Sequence, residues 1–150
     1  MNVPLLPGTS DQAYEYVLDE VFIPLAEEFQ PEMIIMVDGS DTHYSDQITY
    51  MGLTLQGIYM VGDKVRQTAD RVCRGKVVAF DGSGYDPAGI LFPRGWLASI
   101  CGLTGIQVDL EEPYPIPPGH RKDYATPETR RIVKAIRATP APYWKCFTHL

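Results

Sequence analysis

The sequence predicts an α/β fold built on a parallel sheet, and three observations carry that prediction. Two apolar runs of strand length, MIIMV (33–37) and KVVAF (76–80), are unbroken rather than alternating. That pattern suits parallel strands covered on both faces. Around them lie segments with apolar residues at three- and four-residue spacing, the period of a helix with one inward face. The order is strand, helix, strand, helix, which right-handed parallel crossovers accommodate. At 150 residues the chain has room for one domain with one core.

The elements follow in order. NVPLL (2–6) is a short apolar segment that could form a strand, and Pro7-Gly8 ends it. Thr9 and Gln12 have the capping-box spacing, in which a hydroxyl and an amide satisfy free N–H groups at a helix start. Tyr14, Val17, Leu18, Val21, Phe22, Leu25 and Phe29 then form one apolar face. Pro24, inside that face, should kink or split the helix. After the first strand comes a loop, DGSDTHYSDQITYMG (38–52). A second helix is expected from Thr54 to near Cys73, with Leu55, Ile58, Val61, Val65, Ala69 and Val72 inward and Gly75 as its stop. KVVAF leads into a glycine-rich turn, DGSGYDP (81–87), and 96–103 reads as a further helix with Trp96 in the core.

From Glu111 the composition changes. EEPYPIPPGH (111–120) is proline-dense and extended, and ATPETRRIVKAIRA (125–138) is a polar helix with Pro127 near its start. Its Arg130, Arg131, Lys134 and Arg137 read as a solvated face. Residues 1–110 are therefore expected to form the main α/β domain, and 111–150 to pack on it as a wrapping tail. The sequence has no internal repeat or low-complexity segment.

Charge and composition exclude several functions. A formal net charge of -6 opposes a nucleic-acid surface, which needs basic groups to displace counterions from phosphates. It offers an anionic membrane nothing either, and no apolar run approaches the roughly 20 residues that span a bilayer. The start, MNVPLLPGTSD, lacks the basic and apolar pattern of a signal peptide. Cys73, Cys101 and Cys146 are too widely spaced for a Cys-x-x-Cys metal site, and their odd number encodes no disulfide framework. The expected compartment is the cytoplasm.

In open parallel sheets ligands bind beyond the carboxyl ends of the strands. Two loops occupy that position. One carries Asp38, Asp41, His43 and Asp46, the other Asp81, Gly82, Ser83, Gly84 and Tyr85. Carboxylates and an imidazole at a strand end suit a divalent metal, and a tyrosine flanked by glycine can aim its hydroxyl at a bound carbonyl. Spacing alone is a weak signal, since solvated Asp and Gly are common in loops of this kind. Asp41 could be a loop carboxylate or a helix cap, and Tyr85 could simply fill a crevice.

A family resemblance narrows these readings. PEMIIMVDGSDTHYSD (31–46), LTLQG (53–57) and KVVAFDGSGYDP (76–87) resemble, in order and spacing, the second half of the histone deacetylase family. That family includes acetoin-utilisation-type and acetylpolyamine-amidohydrolase relatives. NVPLLPGTSDQAY (2–14) resembles the segment leading into the same region, and PYWKCF (142–147) resembles its tail more loosely. The resemblance spans roughly residues 2–110. It implies the carboxyl-terminal part of a three-layer, parallel-sheet arginase/deacetylase-type fold.

By the same resemblance Asp41 matches a zinc ligand, and Tyr85 matches the catalytic tyrosine that donates to the substrate carbonyl. Ile48, Gly82, Ser83 and Gly84 fall along the acyl-lysine channel. Asp81 and Ser83 stand where many eukaryotic members have glycine. His43 and Asp46 are expected to support the loop, His43 rather than bind the metal and Asp46 by accepting from backbone N–H groups. The family also requires an Asp-x-His pair for zinc and a tandem His-His as acid and base, both in its first half. His43, His120 and His149 lack those neighbours.

The resemblance therefore implies a zinc-dependent deacetylase of acyl-lysine or acylpolyamine amides whose site is incomplete in this chain. A complementary amino-terminal half, or else a homo-oligomer, should cover the exposed strand edge. The competing reading is a non-catalytic α/β module acting by self-association or partner binding.

Overall fold

The structure, a computed structural model, describes residues 1–118, 120, 125–139 and 143–148. His149, and the Gly119 and Pro142 of the tail stretches quoted above, lie outside the described residues.

The first helical pattern is split, as Pro24 requires. Helix α1 (Asp11–Val17) passes through a π-turn (Leu18–Phe22) into α2 (Ile23–Phe29). Proline has no N–H, and its ring crowds the carbonyl four residues back. The wider turn absorbs this, with the Ile23 N–H reaching back to the Leu18 carbonyl.

The helix start differs from the capping-box expectation. The Thr9 hydroxyl donates to the Leu6 carbonyl at 2.6 Å. Asp11 accepts instead from the Thr54 N–H at 2.9 Å and the Thr54 hydroxyl at 2.7 Å. A tertiary partner displaces the local cap. Residues 2–6 form no strand, because Pro4 and Pro7 remove ladder donors. The nearest pairing is the isolated bridge between Ser10 and Gly52.

Strands β1 (Ile34–Asp38) and β2 (Val77–Asp81) pair in parallel, with Ile34 opposite Val77 and Asp38 opposite Asp81. Each ends one residue later than its apolar run, so a carboxylate closes both strands. Helix α3 (Leu55–Cys73) lies where the sequence places it. The Thr54 hydroxyl accepts from the Gly57 N–H at 3.0 Å at its start. Arg74 and Gly75 take left-handed angles at its end, where the Gly75 N–H reaches the Ala69 carbonyl.

Helix α4 (Leu91–Thr104) begins at Leu91 rather than Trp96. Asp86 anchors this earlier start by accepting from the N–H groups of Ala88, Ile90 and Leu91 at 3.2, 2.8 and 3.0 Å. Trp96 is half-buried rather than core and packs on Phe92 at 4.1 Å between centroids.

The main core lies between α3 and α4, where Leu53, Leu55, Ile58, Leu91 and Ala98 are buried together. Helix α5 (Thr126–Ala138) joins the π-turn and a short 3-10 turn (Lys145–Phe147) through Val21, Val133 and Phe147. Glu28 fastens that last turn by accepting from the Lys145 and Cys146 N–H groups. Arg130, Arg131 and Lys134 of α5 are exposed as their spacing suggests, and only Arg137 is half-buried. Arg137 pairs with Glu20 and covers the Phe147 ring at 5.5 Å, while Arg130 covers Tyr16 at 5.0 Å.

The sheet is open on one face and only half-buried on the other, contrary to the expectation from its unbroken apolar runs. Ile35, Val37, Val78 and Phe80 are 61, 82, 40 and 58% exposed. The register sets Ile35 beside Val78 and Val37 beside Phe80, so all four crowd the same open face. Among the described residues no helix is long and apolar enough to cross a membrane.

Candidate active site

The parallel register delivers both candidate loops to one end of the sheet, since Asp38 and Asp81 are partners at its carboxyl edge. Hydrogen bonds then tie the loops together. The Gly82 N–H donates to the Asp38 carbonyl at 2.9 Å, and the Ser40 N–H to the Ser83 carbonyl at 2.8 Å. The buried Ser40 hydroxyl adds a bond to the same Ser83 carbonyl at 3.1 Å. This approach is close enough to require glycine at position 84, because a Cβ there would collide with the Ser40 hydroxyl.

Asp46 is the second tie. It is buried, and its Oδ1 accepts from the Ile48 and Thr49 N–H groups at 2.8 and 3.0 Å. Its Oδ2 accepts from the Tyr85 N–H at 2.7 Å. The Tyr85 carbonyl accepts in return from the Gln47 N–H at 3.4 Å, while the Tyr85 side chain is half exposed. Asp41 sits in a 3-10 turn (Ser40–Thr42), and its carbonyl accepts from the Thr49 hydroxyl. Ile48 lies on the surface beside this loop.

A cavity of about 410 Å³ opens between β1 and α3, with Tyr14, Met36, Asp38, Asp41, Leu53 and Ile58 in its wall. Burial pushes the Asp38 carboxyl above its usual range, and the neighbouring Asp41 charge adds to this. The Ser99 hydroxyl, donating to Asp38 at 2.5 Å, works in the other direction. Burial, then the Asp38 charge, raises Asp81 as well. The Tyr14 hydroxyl is pushed up by burial and by Asp38 and Asp41, so it stays a donor facing carboxylates.

His43 is fully buried and does not point at a metal position. The Ser45 N–H donates to its Nδ1 at 3.2 Å, which makes Nδ1 the unprotonated nitrogen. The Ser45 hydroxyl also lies 2.8 Å from Nδ1. Nε2 therefore carries the hydrogen and donates it to Glu112 at 2.8 Å. Burial raises the Glu112 carboxyl, yet the bonds from His43 and the Leu55 N–H outweigh it and hold the group below the usual carboxylate range. Burial and the Glu112 charge push the adjacent Tyr44 hydroxyl up to about 12.

Sequence reasoning missed Glu112 and Tyr14, and did not single out Asp38 from the other strand-end carboxylates. Glu112 lies in a stretch that reads only as proline-rich, Tyr14 reads as part of a helix face, and Asp38 reads as one loop carboxylate among several. Gly82 and Ser83 stand in the stretch joined to Asp38 and Ser40.

The donor set does not by itself suit zinc. Asp41 brings one carboxylate, Asp38 is committed to Ser99, and His43 is turned to Glu112. Among the described residues no three of His, Cys, Asp and Glu are grouped closely enough to hold a metal ion.

Residues 1–102 match the family described as Histone deacetylase domain. The chain belongs to that family. It is 32% identical over 151 residues to the "Probable deacetylase" of Archaeoglobus fulgidus, covering 98% of this chain and 42% of that protein. It is 36% identical over 107 residues to the "Acetoin utilization protein AcuC" of Staphylococcus xylosus, covering 71% of this chain and 28% of the relative. The solved structure of the histone deacetylase Clr3 superposes with a TM-score of 0.76 at 25% identity, over 98% of this chain and 22% of that one. The HDA15 HD domain shares the fold, with a TM-score of 0.72 at 21% identity over 99% of this chain and 37% of that one. The architecture is thus that of the arginase/deacetylase fold. The chain spans less than half the length of the curated relatives named here.

Proposed function

We propose that this chain is the carboxyl-terminal part of a cytoplasmic, zinc-dependent deacetylase that hydrolyses acyl-lysine or acylpolyamine amides. It becomes competent when a polypeptide carrying His-His and Asp-x-His completes its site. The observation that carries this reading is the knitting of the two loops, by Ser40 to Ser83 and by Asp46 to Tyr85. It holds the loops of Asp41 and Tyr85 together at the carboxyl edge of one sheet.

In this reading Asp41 is one metal ligand, and the others come from the completing polypeptide. Tyr85 donates its hydroxyl to the amide oxygen as negative charge develops there. Such a donor is worth roughly 10²–10³ in turnover when its environment is pre-formed. Ile48, Gly82, Ser83 and Gly84 line the approach of the acyl group. Asp46 and His43 hold the loop in shape.

The test is a zinc and hydrolysis assay on the chain alone and after mixing with the preceding segment of a family member. Acetyl-lysine peptide and an acetylated polyamine serve as substrates. The chain alone should hold little zinc and turn over neither substrate, and the mixture should hydrolyse at least one. Tyr85→Phe in the mixture should lower turnover ~10²-fold or more with zinc content unchanged. Stoichiometric zinc on the dialysed chain alone, or full turnover in Tyr85→Phe, would overturn the reading. The exposed sheet face favours the alternative of a non-catalytic module that self-associates. An inactive mixture beside a stable homo-oligomer would select it.

A further inference from the structure

We propose that Glu112 and Tyr114 are positioning residues: the strap at 111–114 clamps the Asp41 loop and the Tyr85 loop to each other and to the start of α3. The inference rests on the reading of Asp41 and Tyr85 given above, but its evidence is geometric and lies outside those two side chains.

The strap touches four places. Glu112 uses one oxygen on His43 Nε2 at 2.8 Å, two residues beyond Asp41, and the other on the Leu55 N–H at 2.9 Å. It thereby joins the site loop to the first turn of α3, where free N–H groups favour a carboxylate. The Tyr114 carbonyl accepts from the Tyr44 hydroxyl at 2.6 Å, a second hold on the same loop. The Tyr114 hydroxyl donates to Asp86 at 2.7 Å, one residue beyond Tyr85. The Asp86 carboxylate in turn starts α4 through Ile90 and Leu91. Arg94 of α4 closes the circuit by donating to the Glu111 carbonyl at 2.9 Å.

Three residues of this four-residue strap, Glu111, Glu112 and Tyr114, therefore bridge two loops and two helix starts that come from distant parts of the chain. A peptide serving only as cover would need apolar contacts here. This one spends two carboxylate oxygens, a hydroxyl and two carbonyls on groups flanking the candidate site. Glu112 is tied to a fully buried imidazole, so its loss leaves the Nε2–H of His43 without an acceptor in the interior.

The experiment is residue-resolved amide hydrogen exchange on the 150-residue chain, comparing the parent with Glu112→Ala, Glu112→Gln and Tyr114→Phe. Glu112→Ala should speed exchange at Asp46, Ile48, Thr49 and Tyr85 at least tenfold, while the middle of α3, around Val65 and Ala69, is unchanged. Glu112→Gln keeps one side-chain carbonyl oxygen and should restore part of the protection. Tyr114→Phe should speed Ile90 and Leu91 more than Ile48.

Uniform acceleration along the whole chain in Glu112→Ala, or none at Tyr85, would overturn the proposal. So would a Gln variant indistinguishable from Ala. Because this readout needs neither zinc nor turnover, it stands apart from the hydrolysis assay. An inactive mixture with the expected exchange pattern would sink the functional reading and leave the strap in place.

Discussion

Gly62→Ala should destabilise the protein, although alanine is the better helix former. Gly62 lies within α3, where the helix crosses α4. A Cβ built there meets the Ser99 carbonyl oxygen at 2.8 Å, the Leu103 nitrogen at 3.0 Å and the Gly102 carbonyl carbon at 3.3 Å. All three atoms are backbone of α4, so no side chain can rotate away and the helix itself must retreat. A retreat of ~0.5 Å would forfeit about a quarter of the dispersion well along the seam. That seam holds Leu55, Ile58, Leu91 and Ala98. Overpacking of this kind costs typically 1–3 kcal/mol, against a propensity gain of ~1 kcal/mol from replacing glycine. Because all three contacts are with immovable backbone, the cost falls in the upper part of that range, and we expect a net loss of about 1–2 kcal/mol, seen as a fall in melting temperature of roughly 2–8 °C for a chain of this size. Thermal and urea unfolding at fixed protein concentration would measure it, since any association makes the midpoint concentration-dependent. A Gly62→Ala protein as stable as the parent would refute the close-crossing argument. It would also remove the reason α4 sits near enough for Ser99 to reach Asp38.

Three further outcomes follow from the same structure. Asp38→Asn should stabilise the fold at neutral pH: the native carboxyl is raised by burial, so the parent loses stability as pH rises through that value, and the gain should vanish below about pH 4, where the unfolded carboxyl protonates; an equal gain at all pH would exclude charge burial as the cause. Asp86 is held at about 2 by the Leu91 N–H and the Tyr114 hydroxyl, so its contribution is present above about pH 4 and lost as pH falls toward 2. Asp86→Asn should thus be less stable than the parent above that window and equal to it below, as chemical denaturation across pH would show; a constant difference would contradict the assignment. Val37→Thr with Phe80→Thr, at the exposed sheet face, should change unfolding stability by only ~0.5 kcal/mol while lowering the apparent mass in light scattering across a dilution series. A parent protein that is monodisperse and monomeric at every micromolar concentration would rule this out.

The parts of the fold legible in the sequence are those fixed by local chemistry. Helix α3 could be bounded closely because Thr54 caps it and Gly75 ends it, both through backbone groups within one turn. The two strands could be found because their apolar runs are unbroken. Local chemistry misled where a distant partner won. Thr9 and Gln12 have capping-box spacing, yet Asp11 is held by Thr54 across the fold. Helix α4 starts early because Asp86 gathers three N–H groups, a carboxylate that reads locally as part of a turn. The site shows the same division. Asp41 and Tyr85 are singled out by the family resemblance rather than by spacing, and the parallel register brings their loops to one edge. Glu112 gives no signal, because its role depends on His43 and Leu55, far away in the chain.

The open sheet face and the sparse ligand set make two separate demands on a completing polypeptide. Strand β1 ends at Asp38, whose side chain alternates to the face opposite Ile35 and Val37 and accepts from Ser99, and the turn that follows carries Asp41. Covering an apolar side chain of this size contributes about 1.5–3 kcal/mol relative to full exposure. Four such side chains, already partly covered, still offer a completing surface several kcal/mol before any metal or polar group is considered. That gain depends on no charge, whereas ligand donation to a cation at Asp41 requires desolvating it and supplying further donors. Assembly should therefore be driven by the sheet face, with metal binding following from it. The prediction that distinguishes this order is a comparison of two variants in the complemented protein. Asp41→Asn should abolish zinc retention yet leave the assembly intact in light scattering. Val37→Thr with Phe80→Thr should weaken the assembly, and lose zinc only in proportion to the assembly lost. If Asp41→Asn dissociated the assembly as readily as the sheet-face variant, metal coordination rather than apolar burial would be its driving force.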